Sequence, residues 1–528
     1  MVANAQVKAQ IYAGSAHRPP VKRIMVQGTM SGVGKSVLAA GLCRVLARDG
    51  LAVAPFKSQN MALNSFITPD GAEIGRAQAM QAEACGIPPE ACMNPILLKP
   101  TADTTSQVIV NGHVRGDMPA RTYFEKKRAL VPDILRAYDS LAERFDCIVI
   151  EGAGSPAEIN LKDDDIVNMG LAAMVDAPVL LVGDIDRGGV FAQLAGTMML
   201  LEPDERARVR GLVVNKFRGD RSILEPGLAQ LEQITGVPVA GVVPYAALDL
   251  DDEDSLSERL SARAAGALAD IAVVRLPRIS NFTDFIPLEA VDGVGVRYVS
   301  NPHDLGRPDL IIIPGTKSTL GDLAWMRTSG MAPAVVRASR AGVPVVGICG
   351  GYQMLGMSVS DPTGAEGGGE QPGLGLLPVE TVFAPTKHQV QVEGAVVCDV
   401  AAAAAAHVAP LASALAGRPV RGYEIHLGET KRLGGVQFSQ VRAAGSQLVE
   451  DGCVAGDVFG SYVHGLFDDP ELTEALVGEL LARKGIDPAR ARAVDYAAYK
   501  QRQYDELERV VRASIDMNLI ERLFEEQS

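Results

Sequence analysis

The glycine-rich segment GTMSGVGKS, residues 28–36, constrains the fold of this chain more than any other feature. It follows a short apolar stretch at residues 23–27 and precedes a helix-like stretch that stops at Gly50. A strand, a tight loop and a helix in this order open a βαβ unit, so the chain is predicted to begin with an α/β domain. Backbone N–H groups at such a helix start bind phosphate. The segment therefore predicts a nucleotide site.

The residue types of this loop fit the binding of ATP and Mg²⁺. Glycines let N–H groups turn toward phosphate oxygens, Lys35 would neutralise the β- and γ-phosphates, and Ser36 would ligate Mg²⁺. Glu151 directly follows the apolar run CIVI and is placed to hold the same ion. The predicted ATP-binding residues are Gly28, Thr29, Gly32, Val33, Gly34, Lys35, Ser36 and Asn215, and the predicted magnesium residues are Ser36 and Glu151.

A second α/β alternation starts after residue 270. Its apolar runs, residues 271–274, 310–313 and 343–348, each end in a loop, where α/β sheets place their ligands. The last run leads into Cys349, which lies among small residues that allow a sharp strand-to-helix turn. The start of the following helix would stabilise a thiolate. The pattern predicts a cysteine nucleophile.

A nucleophilic cysteine needs a proton-transfer partner and donors for the oxyanion. His464, in GSYVHGLF, is predicted as the general base and acid, since such pairs meet only in the fold. Gly315, in the loop IIIPGTKST, and Gly350 are the predicted oxyanion-hole donors. His426, in GYEIHLGET, is predicted to be structural.

Size and composition bound the class of protein. The chain has 528 residues, more than one hydrophobic core usually serves, so two to four domains are expected. A net charge of -14 without a basic run argues against nucleic-acid binding. Seven cysteines without a CxxC pair fit a reducing cytoplasm, and the sequence carries neither a secretory signal nor a long uncharged apolar run. We therefore expect a soluble cytoplasmic enzyme without a membrane partner; the oligomeric state is left open.

The two halves suggest two doubly wound α/β domains. The predicted organisation is a disordered tail at 1–20, a P-loop domain at 21–245, a linker at 246–269, a second domain at 270–475 and a helical segment at 476–528. Two further stretches receive no function. Residues 361–373 are predicted to form a flexible surface loop, and the alanine run 401–406 a low-complexity helix or insertion.

Cys349, His464 and their surroundings resemble class I, triad-type glutamine amidotransferases, and residues 21 to about 515 resemble the cobyric acid synthase family of cobalamin biosynthesis. Five residues rather than four separate Gly28 from Gly34, as in the variant phosphate loop of dethiobiotin synthetases, which this loop resembles. The resemblance also rests on five further segments: SQNMALNS (58–65), EGAGSPAEINL (151–161), DIDRGGVFA (184–192), NKFRGD (215–220) and YEIHLGET (423–430).

This resemblance implies a specific reaction. Such enzymes amidate the b, d, e and g carboxylates of adenosylcobyrinic acid a,c-diamide and give adenosylcobyric acid. Each amidation uses one ATP and one glutamine. The resemblance implies that Cys349 and His464 take the family's nucleophile and histidine positions. It also implies a corrinoid site near SQNMALNS, with Lys57, Gln59, Asn60 and Asn64 as predicted contacts.

One departure and three alternatives stay open at this point. Many triad glutaminases carry Glu two residues after the histidine, whereas position 466 is Leu here. The cobyric and cobyrinic acid synthases are similar in lacking this Glu. Glu424 is then a candidate for orienting the imidazole. A cobyrinic acid a,c-diamide synthase would share both domains. A ParA- or MinD-like ATPase with an inactive amidotransferase domain would leave Cys349, Gly350 and His464 unexplained. The third alternative is a regulatory glutamine-binding protein.

Overall fold

The computed structural model describes residues 21–102, 104–251, 267–398, 410–490 and 492–527. Three predicted features lie wholly or mainly outside these ranges: the tail at 1–20, the alanine run 401–406 and most of the linker. The described residues form two α/β domains, which confirms the predicted fold class.

The N-terminal domain is built on a six-stranded, all-parallel sheet. The apolar runs of the sequence form its central strands, because strands covered by helices on both faces are apolar throughout. Alternate residues of these strands enter two separate cores, one on each face. The strands, in sheet order, are Val239–Pro244, Val209–Phe217, Val179–Asp184, Lys22–Gly28, Cys147–Glu151 and Val53–Phe56.

Smaller sheets and helices complete this domain. A four-stranded sheet contains Gln59–Met61, Ile96–Ala102, Thr105–Val110 and His113–Pro119, and a two-stranded ribbon pairs Ser65–Ile67 with Glu73–Gly75. The α-helices are Lys35–Arg48, Arg76–Cys85, Ala120–Lys126, Val131–Ala142, Met169–Met174, Val190–Leu200, Pro203–Arg208 and Arg221–Thr235. Short 3₁₀ helices span Ala91–Met93, Lys127–Leu130 and Ile159–Asp164.

The C-terminal domain has a second six-stranded sheet, parallel except for one edge strand. In sheet order its strands are Val294–Val299, Ala269–Val274, Leu310–Ile313, Val345–Ile348, Val458–Ser461 and Cys453–Ala455. A mixed sheet beside it contains Ser358–Asp361, Gly369–Pro372, Val379–Val396, Pro419–Arg432, Ser439–Arg442 and Val449–Asp451. Its two long strands pair over most of their length into a hairpin that reaches the N-terminal domain.

Helices pack on both faces of this second parallel sheet. They are Ile286–Glu289, Thr319–Thr328, Met331–Arg340, Gly350–Leu355, Pro410–Ala414 and Pro470–Arg483, with 3₁₀ helices at Phe282–Phe285, Pro302–Asp304 and Pro488–Arg490. The predicted division after residue 475 falls inside Pro470–Arg483, whose apolar face packs into the core of the C-terminal domain. Within the described ranges, no helix has both the length and the apolar character needed to span a membrane.

The last two helices return to the N-terminal domain. Tyr496–Ser514 and Met517–Glu525 bury apolar side chains in the core that contains one face of the first sheet. A Cβ at Gly41 would lie 2.5 Å from Cγ2 of Val511, so the first helix and the penultimate one approach at a glycine. The helical segment predicted at 476–528 therefore does not act as one unit, because its later helices are part of the N-terminal core.

Removing a side chain from this terminal cover is expected to destabilise the N-terminal domain. Ile520 is fully buried, so Ile520→Ala should lower the free energy of unfolding by about 2–5 kcal/mol, since it leaves a cavity. Ile223→Ala, at a side chain that is 80% exposed, is the matched control and should change it by about 0.5 kcal/mol or less. Urea unfolding followed by circular dichroism measures both, and equal effects would contradict the packing described here.

Candidate active sites

The phosphate loop has the backbone conformation that its glycines predict. Gly32 and Gly34 have φ values of 73° and 93°, which L side chains rarely adopt. Nζ of Lys35 donates to the carbonyl oxygens of Met30 at 3.0 Å and Gly154 at 3.1 Å, so the ammonium lies across the loop. The amide of Asn215, on strand Val209–Phe217, donates to the carbonyl of Val33 at 2.8 Å and holds the loop. Asn215 thus acts on the loop backbone.

Glu151 lies at the centre of a buried polar cluster beside the loop. Its Oε1 accepts hydrogen bonds from Ser36 Oγ at 2.7 Å and Lys57 Nζ at 2.9 Å, and Gln81 donates to its Oε2 at 2.6 Å. Burial alone would raise the pKa of Glu151, but Lys57 and these hydrogen bonds hold it below its ordinary value. A carboxylate and a hydroxyl in contact form an oxygen donor set that fits Mg²⁺.

Two residues at this site were not predicted from the sequence. Asp184 ends the strand next to Lys22–Gly28 and is 1% exposed. Lys216 connects it to the loop, donating to Asp184 Oδ2 at 2.9 Å and to the carbonyl of Gly32 at 2.7 Å. A signal for Asp184 was present, because it ends its apolar strand in the same way as Glu151 ends the strand CIVI.

Most of the side chains predicted to contact the corrinoid have partners within the protein. Lys57 pairs with Glu151 and belongs to the phosphate site. Asn60 and Asn64 are 2% and 1% exposed, and Asn60 donates to Gln78 at 3.0 Å. Gln59 accepts a hydrogen bond from the hydroxyl of Tyr123. The side chains of Asn60 and Asn64 are thus buried, and that of Asn60 holds the segment to the helix Arg76–Cys85.

Cys349 lies at a strained turn between strand Val345–Ile348 and helix Gly350–Leu355. Its φ of 53° and ψ of -110° are rare for a non-glycine residue and resemble a nucleophile elbow. The flanking glycines make the turn possible, since a Cβ at Gly351 would lie 1.9 Å from the carbonyl oxygen of Ile313. Sγ of Cys349 faces a cavity. The geometry suits a nucleophile.

His464 is held next to Cys349 by Asp284. Nδ1 of His464 lies 2.7 Å from Asp284 Oδ2, and the N–H of Gly465 donates to Asp284 Oδ1 at 3.2 Å. Burial alone would lower the pKa of His464, but the Asp284 carboxylate, assisted by a hydrogen bond to Cys349, raises it to about 10. Cys349, His464 and Asp284 therefore form a nucleophile, base and orienting carboxylate.

Glu424, the carboxylate suggested by the sequence for this role, has other partners. Its Oε2 lies 3.0 Å from Nε2 of His388 and 3.7 Å from Nε2 of His426. The Nδ1–H of His426 donates to the carbonyl oxygen of Gly428, 2.8 Å away. The prediction for Glu424 was wrong because Asp284 approaches from a separate loop. The only signal for Asp284 was a carboxylate in NFTDF, a loop that follows an apolar strand.

The cavity at Cys349 contains groups for the oxyanion and for the ends of a small amino acid. Gly350 lines it and begins a helix, so its N–H lacks an intrahelical acceptor. Thr316 also lines it, and the predicted Gly315 lies beside His464, where a Cβ would be 2.8 Å from Cε1 of that residue. Glu366, from the stretch predicted as a surface loop, lines the cavity and accepts a hydrogen bond from the N–H of Thr319 at 2.6 Å.

Charged side chains from both domains meet at this cavity. Lys99 of the N-terminal domain and Lys387 of the long hairpin both line it and both pair with buried Glu73. Burial, opposed by Glu73, lowers the pKa of Lys387 to about 8. Burial, assisted by Lys99, also lowers the pKa of Lys317 on the same cavity wall. The wall of the cysteine site is thus partly built by the ATP-binding domain.

A P-loop α/β domain joined to a Cys–His–Asp site on a second α/β domain defines a glutamine-dependent amidotransferase. Residues 24–257 match the family model of the CobQ/CobB/MinD/ParA nucleotide binding domain, and residues 270–472 match that of the CobB/CobQ-like glutamine amidotransferase domain. The chain is 52% identical to cobyric acid synthase of Lachnoclostridium phytofermentans, over 96% of this chain and 99% of the relative. It is 53% identical to that of Citrobacter koseri, over 94% and 97%. The chain belongs to the cobyric acid synthase family and is a glutamine-hydrolysing carbon–nitrogen ligase that uses ATP.

Proposed function

We propose that this enzyme amidates the b, d, e and g side-chain carboxylates of adenosylcobyrinic acid a,c-diamide in the cytoplasm and gives adenosylcobyric acid. The names of relatives that align over nearly the whole chain support the corrinoid acceptor. The observation that carries the proposal is the pairing of the Glu151 cluster with the Cys349 site in one molecule. One site activates a carboxylate, and the other releases ammonia.

The N-terminal site would convert a poor electrophile into a reactive one. Lys35 lies across the loop and would bind the transferring phosphate of ATP. Ser36 and Glu151 would hold Mg²⁺, which supplies charge stabilisation for phosphoryl transfer when bound. Phosphorylation of the acceptor carboxylate replaces an oxide leaving group with phosphate. Gln59 and the exposed Met61 mark the side of segment 58–65 that is open to a large acceptor.

The C-terminal site would release ammonia from glutamine. The Cys349 thiolate attacks the side-chain amide carbon, and the N–H of Gly350 stabilises the oxyanion. Protonated His464 gives its proton to the departing ammonia and then takes one from water, which hydrolyses the thioester to glutamate. Asp284 keeps the imidazole oriented and favours its charged form. The buried lysines of the cavity would bind the carboxylate of glutamine.

The two reactions must be joined, because ammonia released into water is mostly protonated at neutral pH. Lys99 reaches the Cys349 cavity from the strand Ile96–Ala102 of the N-terminal domain. Ser65 at 2.9 Å and Glu73 at 2.7 Å hold Lys99 in the wall of this cavity. We place the beginning of a water-poor ammonia path at this wall.

The direct test of the function uses the intact enzyme with ATP, Mg²⁺, glutamine and a set of corrinoids. Each amidation exchanges a hydroxyl for an amino group, so mass spectrometry resolves the products of successive steps. We expect adenosylcobyrinic acid a,c-diamide to pass through a ladder of four amidations. A ladder of two steps from cobyrinic acid, or no corrinoid product at all, would contradict the proposal.

Lys35→Ala is expected to separate the two half-reactions. Loss of the loop ammonium should reduce amidation by about 10²-fold or more with either glutamine or ammonia, since both need the acyl phosphate. Glutamate release without ATP should persist, because Cys349 and His464 lie in the other domain. Amide formation and glutamate release are measured in parallel. An equal loss of both activities would show that Lys35 supports the fold instead.

A further inference from the structure

Ser65 of the N-terminal domain contacts two residues that hold the catalytic histidine of the other domain. Its backbone N–H donates to Oδ1 of Asn281 at 3.0 Å, and its carbonyl oxygen accepts from the hydroxyl of Tyr423 at 3.1 Å. Its side-chain hydroxyl accepts from Lys99, which lines the Cys349 cavity. All four residues are buried. One residue of the ATP-binding domain thus touches three parts of the glutaminase site.

Tyr423 contacts His464 directly, and Asn281 supports it through Asp284. The Tyr423 ring stacks on the imidazole with centroids 5.3 Å apart and planes 20° apart, and the two residues exchange backbone hydrogen bonds of 3.1 and 2.9 Å. Asn281 begins the turn that carries Asp284, whose N–H donates to the Asn281 carbonyl at 3.0 Å. Tyr423 therefore contacts the face of the imidazole, and the turn that begins at Asn281 places Asp284 at Nδ1.

Ser65 ends a segment that begins at Lys57, in the phosphate site. Lys57 pairs with Glu151 at 2.9 Å, and Ser65 follows only a few residues later. Between them, Ser58 donates to the carbonyl of Ile166 at 2.7 Å, and the N–H of Ala62 donates to that of Leu98 at 3.1 Å. Most of these residues are buried. Lys57 and Ser65 are thus joined by a short backbone segment that is mostly buried and hydrogen-bonded.

We propose that the segment from Lys57 to Ser65 couples loading of the ATP site to glutamine hydrolysis, with Asn281 and Tyr423 as positioning residues for His464 and Asp284. The proposal rests on the proposed function, because it takes the Glu151 cluster as the ATP site. Phosphate charge arriving beside Lys35 changes the pairing of Lys57, and Ser65 then adjusts Asn281 and Tyr423. Ammonia is released when an acyl phosphate can form, which avoids futile loss of glutamine.

Two substitutions break the contacts of Ser65 while leaving the histidine its main partners. Tyr423→Phe keeps the ring on His464 but loses the hydroxyl, and Asn281→Gly loses the amide at a residue whose φ of 53° suits glycine. Glutamate release by the full chain is measured with glutamine alone, with added ATP and Mg²⁺, and with the corrinoid as well. ATP, Mg²⁺ and the corrinoid should stimulate glutamate release by the wild-type enzyme. We expect each variant to reduce this stimulation about five-fold, through kcat and not through the KM for glutamine. Amidation from ammonia should stay within about two-fold of wild type.

Gln389→Ala is the matched control for a loosened domain interface. Gln389 donates across the interface to the carbonyls of Gly71 at 2.7 Å and Gly112 at 3.0 Å, and neither acceptor belongs to Ser65. In this variant, ATP, Mg²⁺ and the corrinoid should stimulate glutamate release as they do in the wild-type enzyme. The proposal is overturned if Gln389→Ala reduces the stimulation of glutamate release as much as the two substitutions do. It is also overturned if Tyr423→Phe and Asn281→Gly leave this stimulation unchanged, or if loading of the ATP site does not stimulate glutamate release by the wild-type enzyme. A wild-type enzyme that fails to amidate the corrinoid from ammonia contradicts the proposed function instead, and ATP with Mg²⁺ then serves alone as the loading condition.

Discussion

Cys349→Ser is expected to abolish glutamine-dependent amidation while leaving amidation from ammonia. The hydroxyl of serine ionises far less readily than a thiol, and the site has a base suited to a thiol, so glutamate release should fall by about 10³-fold or more. ATP-dependent activation of the acceptor takes place in the other domain and does not need the sulfur. Glutamate release and amide formation are measured with glutamine and, separately, with an ammonium salt at alkaline pH.

Cys92→Ser is the matched control for this substitution. The Cys92 thiol is partly exposed and contacts Glu90 and Arg144, away from the Cys349 cavity. Its replacement should leave both activities near those of wild type. Glutamine-dependent activity that survives in Cys349→Ser would remove Cys349 from the mechanism, even with the elbow geometry intact.

Asp284→Asn is expected to have the second largest effect, although the sequence did not point to this residue. An amide at this position cannot stabilise the imidazolium and can stabilise the wrong tautomer, so kcat for glutamate release should fall by about 10²- to 10⁴-fold. The pH profile supplies a second readout. Asp284 raises the pKa of His464 to about 10, so its loss should move the alkaline limb of the glutaminase profile to lower pH.

Glu424→Gln distinguishes the structure from the sequence-based alternative for the same role. Glu424 pairs with His388 and His426, not with His464, so its replacement should cost much less than that of Asp284 and should leave the alkaline limb in place. The opposite order of effects would restore Glu424 as the orienting carboxylate. Steady-state glutaminase rates over a range of pH values decide between the two.

Several strands of the two parallel sheets could be read from the sequence, because buried parallel strands are continuous apolar runs. The runs CIVI, 271–274 and 310–313 became Cys147–Glu151, Ala269–Val274 and Leu310–Ile313. The long hairpin of Val379–Val396 and Pro419–Arg432 was not predicted. Polar and apolar residues mix along it because one part contacts the neighbouring domain and another faces solvent, so no single period of hydrophobicity appears.

Some site residues could be predicted from local sequence patterns, and others could not. Lys35, Ser36 and Cys349 lie in local patterns whose backbone requirements are visible as glycines. Asp284 and Lys99 lie in ordinary local sequence and reach the glutaminase site only through the packing of loops and domains. The buried state of Asn60 and Asn64 was hidden for the same reason, since a polar segment gives no sign that neighbouring elements will cover it.

The return of the last two helices to the first sheet sets the order in which a growing chain can complete its domains. Synthesis proceeds from the N-terminus, yet the core on the face of the sheet that carries Lys35–Arg48 stays incomplete until Tyr496–Ser514 and Met517–Glu525 have left the ribosome. The glutaminase domain can close earlier, because its core uses residues from Ala269 to Leu481, with a few contacts just beyond. The half that is made first is therefore finished last, and an incomplete chain can have a complete glutaminase core before the core of the ATP-binding domain is complete.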